Sequence, residues 1–463
     1  FGTGAAGGIA VPCNPALKGH QLAHILKDTQ ARVLVTTAAR YQRAKLEIDS
    51  CGVETLLFVD DVPMPLRSSG VGRRWLETVS VPHLWSRSDV RPGTESDIAA
   101  ILYTSGSTGL PKGVTLSHRN LIVGAESVAA YLHNDVRDVI LALLPLSFDA
   151  GLSQLTTGFS SGATVVLHNY FTPIEVARLC AREGVTGITA VPPLWMQLLR
   201  VDWPEEASRT LRYFANTGGH MPKALLSQLR ATFPAASPYL MYGLTEAFRS
   251  TYLDPREVDR RPDSIGKAIP NAEILVVRPD GTPCAPGEDG ELVHRGPLVA
   301  RGYWNDPVLT RAKFRSLPNH LANLPMPEPC VFSGDLVRQD AEGFLYYVGR
   351  TDDMIKVGGA RVSPTEIEEV LYETGLVHEA ATFGVSDDML GQRIVACVVA
   401  NSGATDIVPA LMQACRSALP NFMVPADIRI EKALPRSPNG KIDRKALRAW
   451  VADDRDTVGV LQA

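Results

Sequence analysis

The sequence lacks closely spaced cysteines, long apolar runs and any block of charge of one sign, and each lack removes a class of function. Seven cysteines (Cys13, Cys51, Cys180, Cys284, Cys330, Cys397, Cys415) are scattered over 463 residues with no C-x-x-C pair and an odd count. A disulfide framework does not arise from such spacing, and a reduced, cytoplasmic setting is expected. No apolar run approaches the ~18 residues of a spanning helix, and no charged segment precedes a short apolar core as in an export signal. A soluble chain is expected. The net charge is −4 with the basic residues dispersed, so there is no electrostatic footprint for nucleic acid or an anionic membrane. Low-complexity tracts are also missing.

What is present is an ordinary globular composition, 45% hydrophobic and 21% charged, in a chain long enough for two or more domains. From Ile98 onward short apolar runs alternate with helical patterns, which predicts an α/β domain with a largely parallel sheet. AAILYT reads as a strand that delivers a glycine-rich stretch. Ser117 then caps a helix whose apolar positions are Leu121, Ile122, Ala125, Val128, Ala129 and Leu132. VILALLPL, ATVVLH, VTGITAVP, LRYFANTGG and YLMYGLTE predict further strands, and Thr172, Pro173 and Glu175 open a helix that stops at Gly184. Ligands of open α/β sheets bind beyond the carboxyl ends of the strands, so several candidate loops converge on one edge.

Around residue 272 the texture becomes alternating, with Pro-Asp-Gly turn chemistry, and predicts an antiparallel β subdomain over 272–350. After GRTDD the chain starts anew. Ser363, Pro364 and Glu366 predict a capped helix, VHEAATFGV and RIVACVVA strands, and ALMQACRSAL a second helix. The division expected is a large domain over 1–350, a connector at 351–353 and a small α+β domain over 354–463. The opening FGTGAAGGIAVPCNPAL reads as a helix end running into a strand, so an N-terminal truncation is expected, with roughly 50 to 80 residues of a full α/β domain upstream.

The stretch YTSGSTGLPKG (103–113) packs three glycines, four hydroxyl residues and Lys112 behind a strand. Such a loop, if it enters a helix, offers backbone N–H groups to phosphate oxygens. A Walker loop needs glycine before the lysine and a hydroxyl residue after it. Pro111 and Gly113 stand there instead.

The stretch resembles the phosphate-binding loop of the AMP-forming adenylate-forming superfamily, which comprises acyl-CoA synthetases, amino-acid adenylation domains and luciferases. Its companions follow in the family's order: NTGG (216–219), YGLTE (242–246), SGDLV (333–337), Gly349 and Arg350, DDMIKVGGARVSPTEIE (352–368) and PRSPNGKIDR (435–444). The resemblance implies that fold, with doubly wound sheets and a small mobile C-terminal domain, and use of ATP, Mg²⁺ and coenzyme A. It implies that Thr104, Ser105, Gly106, Ser107, Thr108, Gly109 and Lys112 hold phosphates. Gly218, Gly219 and Tyr242 would face adenine, with Tyr242 stacking on it, and Asp335 and Arg350 would clamp the ribose. Thr245 would bond the α-phosphate, Glu246 with Thr104 would hold Mg²⁺, and Lys441 would neutralise charge in the adenylation step.

The family's small domain turns between two steps. On that resemblance Asp352 is the hinge, while Lys356, Gly358 and Gly359 serve the thioester step beside the pantetheine arm. Phe148, Asp149, Trp195 and His220 are candidate walls of the acyl pocket. Asp149 sits where amino-acid adenylation domains bind a substrate amino group. A narrower resemblance, carried by LPLSFDAGLSQLTTGF, VPPLWMQL, YGLTEAFRSTYL and VDRRPDSIGKAIPNAEILV, is to exosortase-associated bacterial acyl-CoA ligases. The activity implied is ATP-dependent ligation of a carboxylic acid to coenzyme A through acyl-AMP. Loading of a carrier protein and a non-catalytic nucleotide sensor remain alternatives, and a surface ion pair, a helix cap and a solvated lysine are the plain readings of the same side chains.

Overall fold

The fold follows from where each amphipathic segment finds a sheet. A computed structural model describes residues 1–60, 72–74, 93–105, 111–316, 328–351, 353–357, 360–387, 391–401, 406–437 and 441–459. Its largest sheet has twelve strands. One half is parallel, in the spatial order Thr164–Leu167, Val139–Ala142, Gly187–Ala190, Tyr213–Asn216, Ser237–Tyr242. The two central strands Gly187–Ala190 and Tyr213–Asn216 are buried at every position, as an inner parallel strand with helices on both faces must be.

The helix Pro173–Glu183 shows how the sequence writes its own ends. Thr172 accepts a hydrogen bond from the Glu175 amide, Pro173 occupies the first turn, and Gly184 takes the left-handed conformation that ends the helix. Val176, Ala177, Leu179 and Cys180 face inward, where they join Leu141, Ile188, Trp195 and Phe214 in the main core.

The antiparallel half grows from the same sheet. Thr251–Leu253 pairs with Ser237–Tyr242, and Ser264–Ala268 carries the pairing on to Leu345–Arg350. Cys330–Gln339, Asp289–Arg295 and Glu273–Val277 follow. Antiparallel pairing thus begins at Thr251, earlier than the change of texture near 272, because the two strands before that point are too short to show alternation.

The glycine-rich stretch also departs from expectation. PKGVTLS is itself a strand, Pro111–Ser117, antiparallel to Ile98–Ser105, and the helix His118–Leu132 starts only after it. The stretch therefore joins two strands and does not enter a helix, so no helix dipole stands behind it. Ser117 does cap that helix, in a reciprocal box with Asn120. Ile122 is exposed, unlike the other apolar positions expected to face inward.

In the C-terminal part Val377–Asp387 and Gly391–Ala400 form a long antiparallel pair; the other edge of Gly391–Ala400 takes Ile355–Val357, which continues to Ala360–Val362, at one end and Asp427–Ile430, in parallel, along its middle. Pro364–Glu373 and Val408–Ala418 cover one face around Ile367, Leu371, Ile394 and Leu411. Ser363 precedes its helix as expected but makes no capping bond. Its hydroxyl instead donates to the Val348 carbonyl, in a strand of the large sheet. All seven cysteines are free, and no helix among the described residues is long and apolar enough to cross a membrane.

Candidate functional site

Three strand ends of the parallel half build one wall. Tyr213–Asn216 runs into Thr217, Gly218 and Gly219, where the Thr217 amide donates to Ala190 O at 3.1 Å and Asn216 Nδ2 donates to Gly219 O at 2.9 Å. Gly218 has φ +74°, a conformation that costs glycine nothing, and the Phe148 ring and Val191 lie beside it. Asn216 Oδ1 is buried without a partner among the described residues.

The strand Ser237–Tyr242 delivers Tyr242 and the short turn Thr245–Ala247. Thr245 is buried. Glu246 Oε1 accepts from the Tyr303 hydroxyl at 2.6 Å, and its backbone carbonyl accepts from Ala300 N–H at 2.8 Å. The carboxylate is thereby aimed while its second oxygen keeps lone pairs for a hard cation. Thr104 lies opposite Lys112 in the hairpin.

Sheet register forms the second wall. In the antiparallel pair Cys330–Gln339 and Leu345–Arg350, Asp335 is directly opposite Arg350. Arg350 Nη1 donates to Asp335 Oδ1 at 3.2 Å, the Tyr242 hydroxyl donates to Oδ2, and the Asp335 amide is bonded to Ser333 Oγ. Burial pushes the Asp335 carboxyl above its ordinary range, against the opposing pull of Arg350, the Tyr242 bond, Lys441 and Lys313. Burial, then the Asp335 charge, pushes Tyr242 well up, so it remains a donor.

Lys441, from the C-terminal part, is close enough for its charge to act on Asp335. Its carbonyl accepts from Ser437 N–H at 2.8 Å, it is exposed, and its charge opposes the burial that raises Asp335 and Asp149. A second link lies nearby: His220 Nε2 is 2.7 Å from Glu369 Oε2, and the Lys223 amide donates to Glu369 Oε1 at 3.3 Å. Burial alone would raise Glu369, but the bond and charge of His220 and the contacts of Lys223 hold it below its ordinary value.

A buried carboxylate paired with a half-exposed guanidinium, an aimed glutamate, an unpartnered buried amide oxygen and an exposed lysine fit a nucleotide triphosphate with its cation. Comparison with known proteins agrees. The model for "AMP-binding enzyme" matches residues 1–304 and that for "AMP-binding enzyme C-terminal domain" residues 366–441. The chain belongs to the AMP-binding enzyme family. Its members are adenylate-forming ligases that use ATP, Mg²⁺ and an acceptor such as coenzyme A.

An AMP-binding relative, the L-proline--[L-prolyl-carrier protein] ligase of Pseudomonas fluorescens, is 31% identical across 96% of this chain and 84% of its own length. The long-chain-fatty-acid--CoA ligase of Bacillus subtilis is 29% identical over 96% and 82%. A linear gramicidin synthase polypeptide of Brevibacillus parabrevis is 30% identical, and this chain spans only 5% of its length. ATP-bound MatB from Rhodopseudomonas palustris superposes with a TM-score of 0.84 at 26% identity, covering 96% of this chain and 84% of that one.

For this AMP-binding enzyme some expected positions need correction. Trp195 is wholly buried, donates from Nε1 to Ala215 O at 3.3 Å and packs edge-on against Phe214. It belongs to the main core, not to a pocket wall. Tyr242 is tied through its hydroxyl to Asp335 in addition to any stacking its ring provides. Asp149 is not a lone carboxylate, because Arg249 Nη1 lies 3.4 Å from its Oδ2. Lys356 is exposed on the strand Ile355–Val357, with its amide held by Gln392 Oε1 at 2.7 Å. Ser105 ends its strand. Gly106, Ser107, Thr108, Gly109, Asp352, Gly358 and Gly359 lie outside the described residues.

Sequence reasoning missed Arg249, Tyr303 and Glu369, and named Asn216 only as the first residue of the 216–219 motif. Arg249 and Tyr303 carry no local pattern, since their partners lie 100 and 57 positions away. Glu369 reads as one of several acidic residues on a helix. A shallow surface groove lined by Arg230, Phe233, Pro238 and Arg256 lies at the opposite, entry end of the strand Ser237–Tyr242 and has no part in this chemistry.

Proposed function

We propose that the protein is an ATP-dependent ligase that joins a carboxylic acid to coenzyme A through an acyl-adenylate. The observation that carries this reading is that the charge of Lys441, from the C-terminal part, acts on both Asp335 and Asp149, as an adenylation step requires. The acid's carboxylate oxygen attacks the α-phosphorus of ATP, the bond to the β-phosphate oxygen breaks, and pyrophosphate leaves. Lys441 offsets the charge that builds on the α-phosphate and the leaving group, and Thr245 donates to an α-phosphate oxygen. Asp335 and Arg350 take the ribose hydroxyls, with Tyr242 beneath the base. Glu246 and Thr104 would hold Mg²⁺, whose charge supports the phosphate oxygens. The thiol of coenzyme A then attacks the acyl carbonyl and AMP departs.

On this reading residues 1–350 and 354–463 are the two working domains and Asp352 is the pivot. Turning the small domain withdraws Lys441 and brings Lys356, Gly358 and Gly359 to the cleft. The reading includes a cytoplasmic setting. The loop 104–109 with Lys112 holds the β- and γ-phosphates through its amides, without a helix behind it. The descriptions of the relatives named above carry no exosortase or exopolysaccharide link, and that association rests on the longer sequence segments alone. The likeness to a carrier-protein ligase favours one second reading, in which a carrier's phosphopantetheine is the acceptor.

ATP–pyrophosphate exchange against a panel of acids, with AMP release measured with coenzyme A, with a loaded carrier and with neither, tests the assignment. Lys441→Ala is expected to cut exchange by about 100-fold or more, the scale of losing one transition-state charge partner, while leaving ATP binding within a few-fold. Near-normal exchange would remove Lys441 from the role. AMP release independent of any thiol would remove the ligase.

A further inference from the structure

The pair formed by Asp149 and Arg249 is the least economical feature of the cleft. Both side chains are almost wholly buried, at 5% and 3% exposure, and such pairs are weak sources of stability, because desolvation offsets their attraction. Their geometry is not that of a satisfied structural bridge. They share one contact, Nη1 to Oδ2 at 3.4 Å, and Nη1 also donates to Phe248 O at 3.2 Å. Asp149 Oδ1 and Arg249 Nε make no hydrogen bond at all among the described residues. Buried polar atoms are rarely left so.

The backbone is strained to deliver Arg249. Phe248, fully buried, has φ 59° and ψ −48°, and the Arg249 amide bonds back to Ala247 O at 2.6 Å. That is the rare γ-turn with positive φ, unfavourable for a bulky residue. Three residues earlier the same turn carries Glu246. Asp149 opens the helix Asp149–Ser161 beside Phe148, whose ring lines the Gly218 turn. Its carboxyl is within the electrostatic reach of Lys441 and Glu246, and burial raises it against the pull of Arg249, Lys441 and the Ala150 amide. The unmet acceptor and donor therefore lie beside the place where the acid's carboxylate must react.

We propose that Asp149 and Arg249 together form a subsite for a neutral group that both donates and accepts hydrogen bonds, a hydroxyl or a carboxamide, carried by the acid near its carboxylate. This inference rests on the ligase reading above and names its substrate class. A hydroxyl can donate to Asp149 Oδ1 and accept from Arg249 Nε–H. A plain alkyl or aryl chain leaves both unmet. An ammonium can only donate, finds its counter-charge already neutralised, and meets the guanidinium at close range. Arg249 thus changes what Asp149 alone would select, which is an amine.

The experiment is ATP–pyrophosphate exchange on matched acids: butanoate, 2- and 3-hydroxybutanoate, 2- and 3-aminobutanoate, and benzoate, salicylate and anthranilate. The readout is the ratio of kcat/KM within each set. The wild-type protein is expected to favour a hydroxy acid over its plain and amino counterparts by at least about tenfold, since sites with buried polar groups reject analogues that leave them unpaired. Arg249→Met should shift the preference toward the amino acids. Asp149→Leu/Arg249→Met, which removes both charges together and so avoids a lone buried charge, should bring the hydroxy-to-plain ratio of kcat/KM to about one, whatever the absolute rates. Equal kcat/KM for plain and hydroxy acids in the wild type overturns this inference and leaves the ligase standing, as does a parallel loss for every acid in the double variant with an unchanged melting temperature. Exchange with no acid at all overturns both.

Discussion

Replacing Glu369 by alanine removes the two hydrogen bonds that tie the helix Pro364–Glu373 to the turn after Gly219, from His220 at 2.7 Å and from the Lys223 amide at 3.3 Å. A bond to a charged group contributes about 1.5–3 kcal/mol, and the longer amide bond to the same carboxylate is set at about 0.5–1 kcal/mol. The His220 and Glu369 side chains are 30% and 16% exposed, so solvent screening brings the sum to about 1–2 kcal/mol. On the proposed turning of the C-terminal part, that bias acts on the orientation in which Lys441 faces Asp335, and its loss is expected to shift the balance between orientations by roughly 5–30-fold. The assay separates the half-reactions: pyrophosphate exchange for the first, and AMP release from preformed acyl-adenylate with coenzyme A for the second. Glu369→Ala should slow the first and leave the second unchanged or faster. His220→Ala/Glu369→Ala should be no slower than the single variant by more than the lost His220 contacts allow. Equal slowing of both half-reactions, or wild-type rates in both, would refute the reasoning.

Further outcomes are expected. Trp195→Ala should cost about 3–5 kcal/mol of stability, as deletion of a buried aromatic does, and a variant of near-native melting temperature with altered acid preference would return Trp195 to the pocket. Asp335→Asn should weaken ATP binding about tenfold or more, and in the wild type that binding should begin to fall at a higher pH than for an ordinary carboxylate, because the Asp335 carboxyl is raised; an unchanged pH profile in Asp335→Asn would contradict this. His294, buried with Nδ1 2.9 Å from Ser250 Oγ, is held down to about 3 by burial. Its folded pKa lies below its unfolded one, so the folded state resists protonation, and stability is full above about pH 6.5 and lost as pH falls toward about 3, by on the order of 5 kcal/mol in all. Urea midpoints of the wild type and His294→Gln measured from pH 7 to 4 should converge, and parallel curves would exclude His294 as the cause.

The helix Pro173–Glu183 shows what local sequence could announce: its cap, first-turn proline and terminal glycine are chemistry within a dozen residues, and all three form, while Glu175 does not close the expected reciprocal box. The same holds for Val377–Asp387 and Gly391–Ala400. The strand Pro111–Ser117 was not legible, because its lysine, proline and glycine are poor strand formers and only pairing with Ile98–Ser105 makes them extended.

By itself the sequence determined the family, the two-part α/β architecture and the order of chemical groups, because backbone propensities and motif spacing are properties of neighbouring residues. The tertiary structure decided which of those groups meet. Register set Asp335 opposite Arg350, a turn in another domain brought Lys441 to them, and a strained turn buried Arg249 against Asp149. The two contacts join residues 15 and 100 positions apart, and the charge of Lys441 acts on Asp335 across 106. Long-range electrostatics and packing have no signature in a local window, so only the folded chain could disclose them.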